Sequence, residues 1–348
     1  MYRMLIPALT LALIAIGCKP PAVEAHQEPP AASENPPIEE TLLVSQPVMA
    51  RVDTALPGYL PVAEALEGTL EVVGSDSMDP LVQLWAESFR SIYPRMVFRI
   101  TSKGSGTAPK ALIAGSSQLG SMSREMNAEE LAQFEAKFGY APTRIVVAVD
   151  ALAVYVNVNN PLKSLTLQQV DAIFSSTRKG GFPQSIDTWG DLGLTGEWAG
   201  RSIQAYGRDQ NSGTRAFFRD HAMKKGEYKP GVKALPDQFA VVEAAAMDGS
   251  GISYGPVQHS VRMVKALPLV DFGGTKAMLP TVENILGARY PLNRFLYIYV
   301  NKAPGKPLPL PLKEFLIYTL SREGQSAVSN FGAIPLPGDM ARMNLGKL

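Results

Sequence analysis

The chain has 348 residues, beyond the roughly 100–200 that one core usually organises, so two lobes are the first expectation. Its 46% hydrophobic content suffices for a sizeable core. A net charge of +1, from 33 Lys and Arg against 32 Asp and Glu, excludes bulk attraction to nucleic acid or to an acidic membrane surface, so any affinity for an anion must be built locally.

The first residues, MYRMLIPALTLALIAIGC, place Arg3 ahead of an apolar run over 4–16 and then Gly17 and Cys18. That is the layout of an export signal, and the run is shorter than the about 20 residues of a membrane span. Cys18 is the sole cysteine, so it forms no internal disulfide. Its place after Ala15-Ile16-Gly17 resembles a bacterial lipobox, in which the cysteine becomes the lipidated first residue; Ala15 stands where lipoboxes usually carry Leu. The stretch 19–66 is dense in Pro, Ala and Glu and is expected to be a disordered, extended tether.

Folded chain is expected from about Gly68. TLEVVGSDSM (69–78) reads as a strand ending in a Gly/Ser/Asp turn, and 80–93 as a helix with Leu81, Leu84, Trp85 and Phe89 at helical spacing and Pro80 in its first turn. MVFRITSKGSGTAPKALIAG (96–115) repeats this plan, and so does RSIQAYGRDQNSGTRAFFRDHAM (201–223). Three strand–turn–helix units predict an α/β fold with ligand groups at the carboxyl ends of strands. Two long apolar stretches, 144–161 and 290–301, read as strands crossing between two lobes, and 312–332 as a closing helical segment that ends near Gly332.

The three turns, GSDSM (74–78), KGSGTA (103–108) and NSGTRA (211–216), each open a predicted helix. A helix start leaves N–H groups unpaired and carries a positive dipole end, which favours an anion; Ser and Thr hydroxyls add donors. Each turn by itself is more simply a plain helix cap, because Ser, Thr and Asp are preferred there. The common composition, with Arg208 and Arg215 beside the third turn, shifts the reading toward an oxyanion seat.

Nucleotide cradles are excluded, since GSGTAPK lacks the Walker spacing and no GxGxxG follows a strand. His26, His221 and His259 lack metal-ligand spacing, and there is no GxSxG elbow, so neither a metal, a cofactor nor catalysis is expected. Met122, Met126, Phe217 and Phe218 are expected to face the core.

In the family's order, the stretches GSDSMDPLVQLWAESF, GSGTAPKALIAGSSQLGSMSREM, VYVNVNNPLKSLTLQQVDAIF, GRDQNSGTRAFF, YPLNRFLYIYVN and FGAIPLP resemble the periplasmic phosphate-binding proteins of phosphate ABC transporters. The resemblance implies a two-lobed, type II periplasmic-binding-protein fold with two hinge crossings, closing on one inorganic phosphate. By that resemblance the anion contacts fall on Ser75, Asp76, Ser77 and Met78 in the first turn, Ser105 in the second, and Arg208, Asp209, Ser212, Gly213 and Thr214 in the third. Where the best-known members carry an aspartate that accepts the ligand's proton, this chain has Ser123, followed by Arg124. Asp76 and Asp209 are then the candidate proton acceptors.

The resemblance also implies a non-enzymatic, monomeric, extracytoplasmic lipoprotein that passes phosphate to the transmembrane subunits of an ABC permease and meets the membrane only through its anchor. The expected division is a signal at 1–18, a tether at 19–66, one lobe from 67–152 with 288–337, the other from 153–287, and a tail at 338–348. Two other readings of the same fold are a phosphatase-like hydrolase and an anion-sensing surface lipoprotein.

Overall fold

Leu70 and Val72 alternate inward along β1 (Glu67–Gly74), and from there the computed structural model of the chain, which describes residues 50–348, proceeds in strand–turn–helix steps. After a 3-10 turn at Asp76–Met78 comes α1 (Asp79–Ile92), with Pro80 in its first turn, where a missing N–H loses no bond. It buries Leu81, Val82, Trp85, Ala86 and Phe89 along one stripe. β2 (Arg95–Thr101) leads through a 3-10 turn at Ser105–Thr107 into α2 (Ala108–Ala114). β3 (Leu119–Met122) precedes α3 (Ala128–Phe138), which a reciprocal Asn127–Glu130 capping box starts and Gly139 ends. The long β4 (Thr143–Asn157) follows, buried at every residue from Val147 onward.

The next segment supplies β5 (Leu165–Thr166), α4 (Leu167–Phe174), β6 (Gln204–Arg208), α5 (Gly213–Ala222), β7 (Lys233–Leu235), α6 (Gln238–Met247) and β8 (Gly251–Pro256). Short β9 (Val264–Ala266), β10 (Leu269–Val270) and β11 (Ala277–Met278) precede α7 (Val282–Leu286), and β12 (Asn293–Val300) brings the chain back beside β4. Three helices close it: α8 (Leu310–Leu320), α9 (Arg322–Phe331) and α10 (Gly338–Leu345).

The main sheet runs β2-β1-β3-β12-β4-β8-β6-β7, with β9 also on β4, and β11-β10-β5 form a small second sheet. Strands β1, β2 and β3 are parallel to one another, as are β6, β7 and β8, and the antiparallel β12 and β4 join the two groups. β4 pairs with β12 as far as Ala151 and with β8 from Leu152, so this one strand passes from the first group to the second. The apolar stretches expected to cross between lobes are these two strands. Met122, Met126, Phe217 and Phe218 are buried, as expected of core-facing residues.

Three expectations change. The region 50–66, read as tether, is packed: Leu56 is fully buried, the Tyr59 backbone N–H donates to Glu323 at 2.6 Å, and the Tyr59 hydroxyl donates to Glu314 at 3.0 Å. Its prolines suggested a solvated chain, but Leu56, Tyr59 and Leu66 bury enough apolar area to hold it on the surface of α8 and α9. Residues 338–348, read as a tail, carry α10, with Ala341 fully buried and the Asn344 amide oxygen accepting from Val146 N–H at 2.9 Å. The segment 312–332 is two helices, because the Ser321 hydroxyl caps the second at Gly324 N–H. The expected signal, Cys18 and the tether as far as residue 49 lie outside the described residues.

Candidate anion site

Strands β1, β2 and β6 each end in one of the three Ser/Gly turns, and β3 ends just before Ser123. Capping explains only the third turn: the Ser212 hydroxyl accepts from Arg215 N–H at 3.2 Å, whereas neither Ser75 nor Thr107 makes a side-chain cap bond to the element it precedes. The hydroxyls of Ser75, Ser77 and Ser105 turn instead to other hydroxyls, with Ser123 between the two turns. They form a chain, Ser105–Ser123 (3.2 Å), Ser123–Ser75 (3.1 Å), Ser75–Ser77 (3.0 Å) and Ser77–Thr214 (3.4 Å), with all five side chains buried. Hydroxyls both donate and accept, so such a chain can turn its protons toward an oxyanion without leaving a polar group unmade.

Arg208, at the end of β6, is 1% exposed. Its guanidinium donates to Leu235 C=O at 3.3 Å, to Pro236 C=O at 3.0 Å and to the Asp76 carboxylate. The two carbonyls orient the fork, and Asp76 meets it from the other side of the site. Arg215 does not face the site: its guanidinium lies 3.8 Å over the Tyr228 ring and donates to Arg208 C=O at 2.8 Å. Beneath it Tyr228 and Tyr254 share a hydrogen bond of 3.0 Å, and burial raises both phenols above their ordinary range.

Elements from the two strand groups touch across the site. Gly106 N–H donates to Asn211 C=O at 3.1 Å. Gly104, at φ +98°, lies so close to Asn211 that a Cβ would stand 2.4 Å from that carbonyl oxygen. Gly213 is tighter still: a Cβ there would stand 2.1 Å from Ser105 Oγ and 2.6 Å from Ser123 Oγ. The glycine lets the start of α5, with its unpaired N–H groups, meet the hydroxyl chain.

The sequence-derived residues are thus not all alike in position. Ser75, Asp76, Ser77, Ser105, Ser123, Arg208, Gly213 and Thr214 converge, and Met78 is buried directly after Ser77 at the start of α1. Ser212 is buried as the cap of α5. Asp209 is used by its own turn, accepting from Asn211 N–H at 3.0 Å, so Asp76 and not Asp209 is the carboxylate on Arg208. Arg124 is turned to Glu130, with two bonds of 2.7 Å, and passes beside Gly106 at the edge of the cluster.

One pair was not anticipated. Arg294 on β12 and Asp150 on β4 are directly opposite in the antiparallel register, both buried, with Arg294 Nε donating to Asp150 at 2.8 Å. Burial pushes the Asp150 carboxyl upward while Arg294 pulls it down. The readable signal was a lone charge in each of two apolar runs, IVVAVDALAVYVN and NRFLYIYV. Among the described residues no group of His, Cys, Asp and Glu is arranged to hold a metal, and no helix is long and apolar enough to cross a membrane.

A family model described as a PBP superfamily domain matches residues 61–323. The phosphate-binding protein PstS of Pseudomonas aeruginosa is 44% identical over 300 residues, covering 86% of this chain and 93% of that protein. PstS of Staphylococcus saprophyticus is 28% identical over 275 residues, covering 78% of this chain and 81% of that protein. Among solved structures, a phosphate ABC transporter substrate-binding protein of Clostridium perfringens with bound phosphate superposes at a TM-score of 0.65 with 25% identity, covering 78% of this chain and all (100%) of that one. An ABC-type phosphate transport receptor of Vibrio cholerae shares the fold at a TM-score of 0.61 and 21% identity, with coverage of 77% and 100%. The fold is that of the type II periplasmic phosphate-binding proteins, and the chain belongs to the PBP superfamily, within the family of phosphate-binding proteins PstS.

Proposed function

We propose that this protein captures inorganic phosphate outside the cytoplasm, between its two groups of strands, and delivers it to an ABC permease. The observation that carries this reading is the buried chain of five hydroxyls with Arg208 and Asp76 joined across it. Ser75, Ser77, Ser105, Ser123 and Thr214 supply neutral donors, Arg208 a charged fork, and the backbone of Met78 and of Ser212 to Thr214 the dipole of two helix starts. The protein is a carrier rather than an enzyme in this reading, which the likeness to a phosphate ABC transporter substrate-binding protein supports. The lobes in this reading are 67–152 with 288–337 and 153–287, a division supported by the passage of β4 from β12 to β8 at Leu152. In this reading lipidation at Cys18 holds the protein, a monomer, at the membrane.

Selectivity follows from Asp76. Hydrogen phosphate carries a proton that a carboxylate can accept; sulfate carries none and would face an unpaired negative charge. Arg208 contributes about 1.5–3 kcal/mol as a charge-assisted donor, so Arg208→Ala should weaken phosphate binding at least roughly tenfold. Calorimetric titration with phosphate, arsenate, sulfate and molybdate tests the reading. Phosphate should be preferred strongly over sulfate, and Asp76→Asn should narrow that preference; a parent protein that binds sulfate as tightly as phosphate would overturn it.

A further inference from the structure

Arg294 lies behind the hydroxyl chain and reaches both sides of the site at once. Its Nη1 donates to Ser123 C=O, at the end of β3, at 3.2 Å and to Thr214 Oγ1, in the first turn of α5, at 3.1 Å. Asp150 sets the guanidinium in place, with Nε at 2.8 Å and Nη2 at 2.7 Å, and the Phe217 ring lies 5.7 Å from its centre. The side chains of Arg294 and Asp150 are 1% and 0% exposed, so neither serves solubility. A buried ion pair is weak evidence of stability, because desolvating both charges offsets most of their attraction. Its position suggests another use.

A guanidinium can only donate. Thr214 Oγ1 therefore accepts from Arg294 and keeps its single proton to donate, with Ser77 at 3.4 Å as a partner that can donate or accept. Resting on the phosphate reading above, we propose that Arg294 is a positioning residue of the site. It commits the Thr214 hydroxyl to act as a donor to the anion, and it ties that hydroxyl to Ser123 so that the two sides come together with the donor already turned. Asp150 holds Arg294 in the one orientation that reaches both partners. Lysine would keep the charge but not the fork, so it cannot hold Asp150, Ser123 and Thr214 together.

A double-mutant cycle in phosphate affinity reads this directly, with R294K, T214V and R294K/T214V made in the full chain and thermal melts recorded for each. If Arg294 acts through Thr214, R294K should weaken phosphate binding about tenfold in the parent and no more than about twofold when combined with T214V. A purely structural role predicts the same fold-loss in both backgrounds, and that result, or no loss in either, overturns the proposal. Should R294K not fold, the neutral pair D150N/R294Q avoids a lone buried charge and enters the same cycle with T214V, with the same two outcomes. Failure of the parent to bind inorganic phosphate is a separate result: it removes the phosphate reading, and the positioning role with it.

Discussion

Gly213 shows how little room a single residue has in the site. A methyl group there would overlap Ser105 Oγ and Ser123 Oγ, and the residues around them are buried, so neither hydroxyl can move aside without breaking the chain. Gly213→Ala should therefore lower phosphate affinity by more than roughly tenfold while changing the melting temperature of the ligand-free protein little, because the clash arises only where the two sides meet. Calorimetry and a melt on the same sample separate the two effects. His259 makes a prediction of another kind. Its ring is buried, stacked on Phe239 at 4.5 Å and edge-on to Phe331 at 6.2 Å, and burial, with Arg294 and Arg208 adding to it and Asp237 opposing, lowers its pKa from 6.5 to about 4. The unfolded chain binds that proton first as pH falls. The stability contribution of neutral His259 is thus present above pH 6.5 and lost progressively down to about pH 4, by about 3 kcal/mol. Denaturant midpoints measured across that window should fall less steeply in His259→Leu than in the parent; an unchanged slope would mean that His259 is not the titrating group.

At the scale of elements, the arm that precedes β1 matters more than its composition implied. Arg322 donates to Leu56 C=O at 2.9 Å, Gly338 N–H donates to Asp53 at 2.8 Å, and the Ser329 hydroxyl donates to Ala50 C=O at 2.7 Å, so residues 50–66 strap α9 and the start of α10. Leu56, fully buried in the main core, anchors it. Leu56→Ala should cost about 2–5 kcal/mol, the range for a leucine truncated in a core, and a melt would show a lower midpoint with phosphate affinity unchanged. A loss below about 1 kcal/mol would mean that the strap peels away without consequence. The helices α8 and α9 show a second effect of this scale: a single hydroxyl, that of Ser321, divides what apolar periodicity reads as one segment.

For the whole molecule, polar contacts join the two strand groups at the site: Asp76 with Arg208, Ser77 with Thr214, Gly106 with Asn211, and Arg294 on β12 with Thr214 on α5. Polar contacts of this sort exchange against water for little net gain, about 0.5–1.5 kcal/mol each, whereas an anion held by both sides favours the closed form by all of its differential affinity. Phosphate should therefore make the protein more compact in solution, by hinge motion about β4 and β12. Small-angle scattering with and without saturating phosphate checks this, and an identical profile would mean that the closed arrangement persists without ligand.

The order of strands, turns and helices was legible in the sequence because its signals are local: alternation in LEVV, Gly and Ser at the turns, Pro80 at a helix start, Gly332 at a helix end. The three turns were legible as candidates for the same reason, and resemblance supplied their order and the anion. Their meaning was not, since a serine that caps and a serine that faces an anion look identical in a sequence; Ser212 caps, while Ser75 and Ser105 turn to other hydroxyls. Which aspartate meets Arg208 was likewise open, because Asp209 is adjacent in the chain and Asp76 is 132 residues away. Arg294 and Asp150 are 144 residues apart, and only the register of β4 against β12 puts them face to face. Local pattern determined the elements and the residue types available to the site; the pairing of distant strands decided which side chains meet, because contact across a sheet is set by register and burial and not by separation along the chain.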